Sequence, residues 1–277
     1  MIKLTFFYFL FFILFVFVFG GCSLLSESLK IEEINIGVIL PFSDENTIFG
    51  VEVRNVLDLS IEEINGEGGI NGKIVNLVYR DGDCDYETSK FAMEEFVEEG
   101  FEFVIGGVCS DETLGAGLVA ENNGILLISP SSISSRITDL GDFIFRTVPP
   151  TKKLSVKLAN EIYDDNYRKL SIINEISSYT ESLKEDLIIE FESLGGEVVY
   201  DNSFNMDFNN FSNIFLNIST SMVDSFVFIF QNPNFEKKFI SQLVKSNLNL
   251  PMYGDLILIT DGVYKIGGDY LEGVKVI

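Results

Sequence analysis

The chain alternates short apolar runs with stretches in which apolar residues recur every three or four positions. Residues 34–40 form an apolar run closed by Pro41, and positions from Val53 to Ile64 then mark one face of a helix. Further strands are predicted at 73–79, 101–105 and 125–128, with helices at 86–99 and 111–123 between them. A β-α-β-α-β order requires parallel strands with helices packed on both faces, so the pattern predicts an α/β fold.

A second series of the same kind follows the extended segment 143–148. Pro149-Pro150 blocks helix formation and predicts a crossover between two lobes. Beyond it, helices are predicted at 151–163, 179–194, 208–220 and 235–246, and strands at 170–174, 196–200, 225–230, 251–254 and 274–277. Two α/β halves joined at a proline hinge would form a cleft, with a ligand between the carboxyl ends of their strands.

The N-terminal segment has the layout of a secretory signal. Lys3 is followed by an apolar run at 4–19 and then by Gly20-Gly21-Cys22. This order resembles a lipoprotein signal, with residues 1–21 removed, Cys22 lipidated as an anchor in the cell membrane, and residues 22–33 serving as a polar tether. The alternative is an uncleaved anchor at 4–19, which is short for crossing ~30 Å of hydrocarbon. Both interpretations place the rest of the chain outside the cytoplasm, in the periplasm or at the cell surface.

Charge and composition exclude some of the possible classes of function. The 277 residues include 19 Lys+Arg, 42 Asp+Glu and no histidine, which gives a formal net charge of -23. Nucleic acid is excluded as a partner because phosphate binding needs a clustered basic surface. Without histidine the chain lacks the commonest general base and metal ligand, so composition favours binding over catalysis, with no cofactor and no metal.

The cysteines separate into one lipidation candidate and one possible pair. With Cys22 assigned to the anchor, Cys84 and Cys109 remain, each in a short loop directly after a predicted strand. An even remainder outside the cytoplasm favours a disulfide. Two unrelated free thiols are the alternative.

Several motifs, in order along the chain, resemble the periplasmic branched-chain amino acid (Leu/Ile/Val) binding proteins, the receptors of ABC importers. They cover nearly all of residues 34–277 and comprise INIGVILP (34–41), Phe49-Gly50, IEEINGEGGING (61–72), DGDCD (81–85), VIGGVCS (104–110), ISPSS (128–132), FRTVP (145–149), YTESL (179–183), LGGEV (194–198) and LEGV (271–274). The resemblance implies the two-lobed periplasmic-binding-protein type I fold, with residues 34–148 as the N-terminal part of lobe 1 and residues 149–277 as lobe 2. It also implies a disulfide between the cysteines matching Cys84 and Cys109.

The resemblance assigns the ligand's carboxylate to serines of the first lobe. Ser110 matches the family's carboxylate-binding serine, and the loop after the serine-proline step places Ser131 and Ser132 in the pocket. A strand end that leads into a helix favours an anion. On their own, Ser110 could be an N-cap for the helix from Asp111 and Ser131 a plain loop serine.

The resemblance assigns three more residues to the ligand. Phe49 matches an aromatic position of the side-chain pocket, Tyr179 the second lobe's closing aromatic, and Asp255 the acidic residue that holds the ammonium. The plainer interpretations are core packing for Phe49, a helix start for Tyr179 and a turn for Asp255. The sequence at 256–260 departs from the family there, so the match of Asp255 is the loosest.

Two other departures bear on the ligand, and one bears on the extent of the fold. Ile133 stands where the family often has threonine, and Thr180 replaces a glycine. A buried carboxylate short of one partner costs ~1–3 kcal/mol or more, so the ligand could be another amino acid, an amide or a urea-like solute. Family members also continue past residue 277, so we expect the remainder of lobe 1 to be missing, either because this is a fragment or because the gene is truncated.

The sequence therefore predicts an extracytoplasmic solute-binding lipoprotein that captures an amino acid by clamshell closure and delivers it to the membrane subunits of an ABC importer. The alternatives are a sensory module of the same fold and a truncated paralogue that no longer binds. An enzyme is disfavoured, because acidic pairs are common in so acidic a chain and no nucleophile motif accompanies them.

Overall fold

The computed structural model describes residues 33–43, 47–259 and 261–276. The predicted signal peptide, Cys22 and the tether up to residue 32 lie outside these residues. No helix in the described part of the chain combines the length and the apolar character needed to cross a membrane.

Strands and helices alternate along nearly the whole described chain. The strands are β1 Glu33–Leu40, β2 Ile74–Asp81, β3 Phe103–Gly106, β4 Leu126–Ser129, β5 Ile144–Arg146, β6 Lys169–Glu175, β7 Glu197–Phe204, β8 Ser225–Ile229, β9 Met252–Gly254 and β10 Lys275–Val276. The helices are α1 Thr47–Gly66, α2 Tyr86–Glu98, α3 Ser110–Asn123, α4 Thr151–Asp164, α5 Ser178–Ser193, α6 Ser212–Thr220, α7 Pro233–Ser246 and α8 Asp261–Gly267. The strand and helix order predicted up to Asp255 is confirmed.

The first sheet has five strands in the order β2-β1-β3-β4-β5, and β3 pairs in parallel with β1 and with β4. Its core is built from apolar strand residues and the inner faces of α2 and α3. Ile39 and Leu127 are fully buried against a cluster that includes Met93 and Phe96 of α2. Burying side chains of this size contributes about 1.5–3 kcal/mol each, which anchors the strand ends that carry the loops described below.

The second sheet has the order β10-β9-β8-β6-β7, and all of its strand pairs are parallel. Successive residues of a strand point to opposite faces. Phe226 and Phe228 of β8 accordingly join one buried cluster with α6 and α7, whereas Val227 and Ile229 join another with α4 and α5. Helices therefore cover both faces of this sheet, as predicted.

An aromatic cluster fixes the start of α6 and corrects one predicted boundary. The sequence pattern predicts a helix from residue 208, but α6 begins at Ser212. Phe208 and Phe211 instead pack their rings 4.9 Å apart, and the Phe211 N–H donates to Oε1 of Gln242 at 2.9 Å. The backbone at Phe211 is thereby held by a side chain of α7 before the helix starts.

The described residues divide into two units, one comprising 33–34 together with 61–76, and the other 35–43, 47–60, 77–259 and 261–276. Within the first, the Asn65 side chain donates to the Val75 carbonyl and accepts from its N–H, both at 2.9 Å. Gly69 has φ of 75°, and a Cβ there would lie 2.0 Å from the Lys73 carbonyl oxygen. The turn therefore requires glycine at this position.

Short helices fill the segment between Asp255 and β10, for which the sequence pattern predicts no element. A 3₁₀ helix at Leu256–Ile259 precedes α8, and a second one at Gly268–Leu271 follows it. Leu258, Val263 and Leu271 from this segment are buried in the cluster beside α7. The predicted last strand is confirmed at Lys275–Val276.

Candidate functional site

A cavity of about 170 Å³ lies where loops from the carboxyl ends of strands in both sheets come together. Its lining consists of Phe49, Val108, Cys109, Ser110, Ser131, Ile133, Tyr179, Gln231 and Ile257. Four of the six residues predicted to contact ligand are in this lining, namely Phe49, Ser110, Ser131 and Tyr179. The structure places Ser132 and Asp255 behind the wall.

Ser110 stands at the beginning of α3, with its side chain beside the cavity. The N-cap position belongs to Cys109, so Ser110 is the first residue of the helix and does not cap it. Its Oγ accepts a hydrogen bond from the Ser134 N–H at 3.2 Å. The first turn of a helix leaves backbone N–H groups without intrahelical partners, and these groups favour an anionic group.

Glu112 holds together the two loops on which Cys84 and Cys109 stand. Its carboxylate is fully buried and accepts from the N–H groups of Val108 at 2.8 Å, Cys109 at 3.1 Å and Cys84 at 3.2 Å. Burial raises its pKa to about 7, against the opposing effect of these three donors. A Cβ on Gly107 would lie 2.2 Å from the Glu112 Cβ, so only glycine lets the loop approach this closely.

The two cysteines are joined by a disulfide in the structure, with their Cα atoms 5.1 Å apart. Together with Glu112 they form a group of possible metal ligands among the described residues. The disulfide uses both thiols, and the Glu112 oxygens are occupied by backbone N–H groups. This group therefore serves to fix the cavity wall at Cys109.

Ser131 and Ser132 are neighbours with different surroundings. The Ser131 hydroxyl donates to the Val108 carbonyl at 2.9 Å at the cavity wall. Ser132 is fully buried, and its hydroxyl lies 2.6 Å from Thr113 Oγ1, 3.0 Å from the Gly107 carbonyl and 2.9 Å from the Cys109 carbonyl. Ser132 thus ties two loops of the first sheet together behind the wall.

The opposite wall is supplied by residues of the second sheet. Tyr179 lies in the first turn of α5, which is capped by the Ser177 side chain. Burial raises the pKa of the Tyr179 hydroxyl well above its ordinary value, and the nearby Asp255 and Glu236 raise it further. Gln231 and Ile257, which follow β8 and β9, complete this wall.

Asp255 is buried directly after β9. Its carboxylate accepts hydrogen bonds from the Phe230 N–H and, at 2.9 Å, from the Ile257 N–H. Burial raises the pKa of Asp255. Asp255 is not part of the cavity lining, although Ile257, which donates to it, is, and contact with a ligand ammonium stays a prediction.

A larger cleft of about 880 Å³ adjoins the cavity and shares Gln231 with it. Its lining carries two basic residues, Arg136 and Lys238, and five carboxylates, from Asp83, Asp85, Asp111, Glu175 and Glu181. At its edge the Ser178 N–H donates to Asp111 Oδ2 at 3.0 Å, which joins α3 to α5. The smaller cavity combines hydroxyl groups with apolar surface in its lining, which is the combination that small-molecule sites use.

Five lining residues were not predicted to contact ligand, namely Val108, Cys109, Ile133, Gln231 and Ile257. Val108, Gln231 and Ile257 all follow strands of the parallel sheets, so the rule that ligands bind at carboxyl ends could have indicated them. Ile133, noted in the sequence as a departure from threonine, also lies in the wall and adds apolar surface.

Two parallel α/β sheets with a small cavity at their carboxyl strand ends define the class of two-lobed solute-binding proteins. The family model described as periplasmic binding protein matches residues 33–277, so the chain belongs to the periplasmic binding protein family. Solved structures similar to the chain include a substrate-binding protein of a branched-chain amino acid transporter and a leucine-binding protein.

The chain is similar to several individual members. It is 23% identical over 244 residues to "Leu/Ile/Val-binding protein homolog 1" of Brucella abortus (strain 2308), covering 87% of this chain and 66% of that protein. A leucine-binding protein from Thermotoga maritima superposes with a TM-score of 0.75 at 20% identity, covering 87% of this chain and 68% of that one. A solute-binding protein from R. palustris in complex with benzoate has a TM-score of 0.75 at 21% identity, and the match covers 88% of this chain and 68% of that one. The chain thus spans less than two thirds of the length of the Brucella protein.

Proposed function

We propose that this protein is an extracytoplasmic solute-binding protein that captures a small amino acid with an apolar side chain and delivers it to an ABC importer. The observation that carries the proposal is the cavity of about 170 Å³, whose lining combines two serines and a glutamine with aromatic and aliphatic side chains. Its relatives include proteins named for binding leucine, isoleucine and valine. Lipidation of Cys22 would hold the protein at the membrane.

The cavity's size and polarity support an amino acid. The cavity's volume of about 170 Å³ is small, which favours a single amino acid over a peptide. We assign the ligand carboxylate to Ser110, Ser131 and the N–H groups at the start of α3. Phe49 and Ile257 would contact the ligand side chain, and Asp255 would attract its ammonium from behind the wall.

Closure of two lobes on the ligand is the proposed working step. Contacts already join elements beside the first sheet to α5 beside the second, because the Ser178 N–H donates to Asp111 of α3 and Arg136 forms an ion pair of 2.7 Å with Glu185. A ligand that contacts both walls stabilises the closed form, and its differential affinity sets the population shift.

An aromatic carboxylate is the second candidate. A structural neighbour from R. palustris is complexed with benzoate, and Phe49 and Tyr179 supply two aromatic walls in this cavity. Such a ligand would use Ser110 and Ser131 in the same way, but it would have no group for Asp255.

The test is thermal unfolding of the purified protein with each amino acid, with benzoates and with a small amide panel. A ligand at ~100 times its dissociation constant adds ~2.7 kcal/mol, or about 5–10 °C for a chain of this size. Ser110→Ala should weaken that ligand about 10–150-fold, because it removes a hydrogen bond to a charged group. The exposed Ser193→Ala is the matched control.

Each result decides between the candidates. A shift by aliphatic amino acids alone supports the amino acid receptor, and a shift by benzoates alone supports the second candidate. A protein with a cooperative transition that no compound moves would refute both ligand classes. If Ser110→Ala binds as tightly as the parent protein, the assignment of the carboxylate end is wrong.

A further inference from the structure

The segment 133–135, which follows β4 of the first sheet, is hydrogen-bonded to a serine of the ligand cavity and to the start of α4. The Ser134 N–H donates to Ser110 Oγ at 3.2 Å. The Thr151 N–H donates to the Ile133 carbonyl at 2.6 Å. Ser110 and Ile133 both line the cavity, so the position of this segment sets the position of two wall residues.

The bond from Ser134 leaves the Ser110 hydroxyl in the orientation that a carboxylate needs. A serine hydroxyl has one proton to donate and two lone pairs that accept. Because Ser110 Oγ accepts from the Ser134 N–H, its own proton stays available for an acceptor in the cavity. The carboxylate of an amino acid or of a benzoate is such an acceptor. Whatever holds the segment 133–135 in place therefore bears on ligand binding.

Asp186 of α5 is the acceptor on which the bonds that hold this segment converge. Ser135 Oγ and Thr151 Oγ1 both donate to Asp186 Oδ2, each at 2.7 Å. The Ser135 N–H also donates at 2.9 Å to Oγ of Ser182, which lies one turn before Asp186 on the same helix. Thr151 and Ser182 are buried, so these bonds are shielded from water. Hydrogen bonds to an ionised acceptor in such surroundings are among the stronger ones in a protein.

The network around Asp186 lies where the chain passes from the first sheet to the second. Thr151 opens α4 directly after Pro149-Pro150, and the preceding element is β5 of the first sheet. Side chains of α4 and α5 share one buried cluster on the second sheet. Asp186 thus joins the loop that carries Ile133 to the two helices of that cluster. Asp186 is not part of the cavity lining, so any effect on the ligand is transmitted through the segment 133–135.

We propose that Asp186 is a positioning residue for the ligand, which holds the segment 133–135 so that the Ser110 hydroxyl faces the ligand carboxylate. The inference rests on the proposed solute receptor and deepens it, and it applies to an amino acid and to an aromatic carboxylate alike. Both hydroxyls donate to the same oxygen of Asp186, so the role requires one acceptor oxygen at this point. Asp186→Asn keeps such an oxygen, whereas Asp186→Ala removes it.

The test measures binding of leucine and of benzoate by titration calorimetry in the purified parent protein, in Asp186→Ala and in Asp186→Asn. Asp186→Ala should weaken whichever of the two ligands binds by about 5–30-fold, as residues that act on a site through a packed network do. Asp186→Asn should lose less than about 3-fold, because an amide oxygen accepts from the same two hydroxyls. Glu192→Ala removes an exposed carboxylate from the same helix and is the control.

A double-mutant cycle tests whether Asp186 acts through Ser110. In the Ser110→Ala background, Asp186→Ala should weaken the ligand by less than about 2-fold, because the hydroxyl that it positions is already absent. The same loss as in the parent background would show that Asp186 acts by another route, and this would overturn the inference while leaving the receptor intact. An Asp186→Ala variant that binds as tightly as the parent would also overturn it, as would an Asp186→Asn variant as weak as Asp186→Ala.

Amide hydrogen exchange reports on the same segment without any ligand. Asp186→Ala should accelerate exchange of the Ser134 and Thr151 N–H groups at least about 10-fold more than exchange of Val227 and Ile229 in β8, because the segment opens locally. Equal acceleration of all four would indicate global destabilisation alone, and this result or unchanged rates would overturn the inference. A parent protein that binds neither leucine nor benzoate would contradict the proposed ligand classes, and exchange then decides whether Asp186 holds the segment.

Discussion

Glu112 offers the sharpest test of how the cavity wall is built. The carboxylate accepts from three backbone N–H groups, and its pKa is raised from 4.5 to about 7. A raised carboxyl pKa gives stability that is fully present below pH 4.5 and is lost as the pH rises to about 7. At 1.36 kcal/mol for each unit of pKa, this loss amounts to about 3 kcal/mol in total.

The perturbation is Glu112→Gln, which keeps the shape and removes the titration. Gln offers a single acceptor oxygen, so its amide nitrogen must face at least one of the donors, at a cost of about 1–3 kcal/mol. That cost does not depend on pH. The difference in unfolding free energy between variant and parent should therefore move in favour of the variant by about 2–3 kcal/mol between pH 5 and pH 8.

The assay is urea unfolding of both proteins at half-unit steps of pH, with exposed Glu94→Gln on α2 as the control. Titrations shared by variant and parent cancel in the difference, so its slope reports on Glu112 alone. A flat difference across this range would refute the raised pKa. A variant as stable as the parent at pH 5 would refute the role of the three hydrogen bonds.

Three further predictions concern packing, the disulfide and the link between the two sheets. Phe239→Ala should cost about 3–5 kcal/mol in urea unfolding, because the ring is fully buried and packs 5.0 Å from Phe230. Replacing Cys84 and Cys109 together by serine should lower stability by about 3–4 kcal/mol, since the disulfide closes a loop of 25 residues, and unfolding with and without reductant checks this. Asp111→Ala should weaken the ligand found in the thermal screen about 5–30-fold, because the closed form loses the bonds from Ser178; unchanged calorimetric affinity would contradict it.

The order of strands and helices follows from the sequence because buried parallel strands are short apolar runs and their helices are amphipathic. The start of α6 does not follow, since Phe208 and Phe211 continue the helical spacing while the Gln242 and Asn210 side chains bind the backbone N–H groups of Phe211 and Ser212. The helices after Asp255 could not be predicted from the sequence, for a related reason. Its helices are only one or two turns long, so apolar periodicity has too few residues to show.

Some of the cavity residues could likewise be predicted from the sequence, and others could not. Ser110 and Tyr179 could be predicted because each follows the carboxyl end of a strand and matches a motif. That Ser131 faces the cavity and Ser132 does not depends on one loop's path, which neighbouring identical residues cannot reveal. The burial of Glu236 could have been predicted, because it shares a helical face with Ile240 and Leu243, which are both fully buried.

Glu112 and Glu236 are both fully buried, but only Glu112 has hydrogen-bond donors, so the two carboxyl groups should titrate differently. Three N–H donors favour the ionised form of Glu112, so its contribution to the pH dependence of stability ends near pH 7. Glu236 has no hydrogen-bond donor and is near two carboxylates that raise its pKa, so it should hold its proton to higher pH. In urea unfolding, the difference in unfolding free energy between a Glu236→Gln variant and the parent should therefore keep widening above pH 7. The first carboxyl therefore fits a role in holding loops, whereas the second, which lacks donors, should stay neutral and should lower the free energy of unfolding progressively as the pH rises.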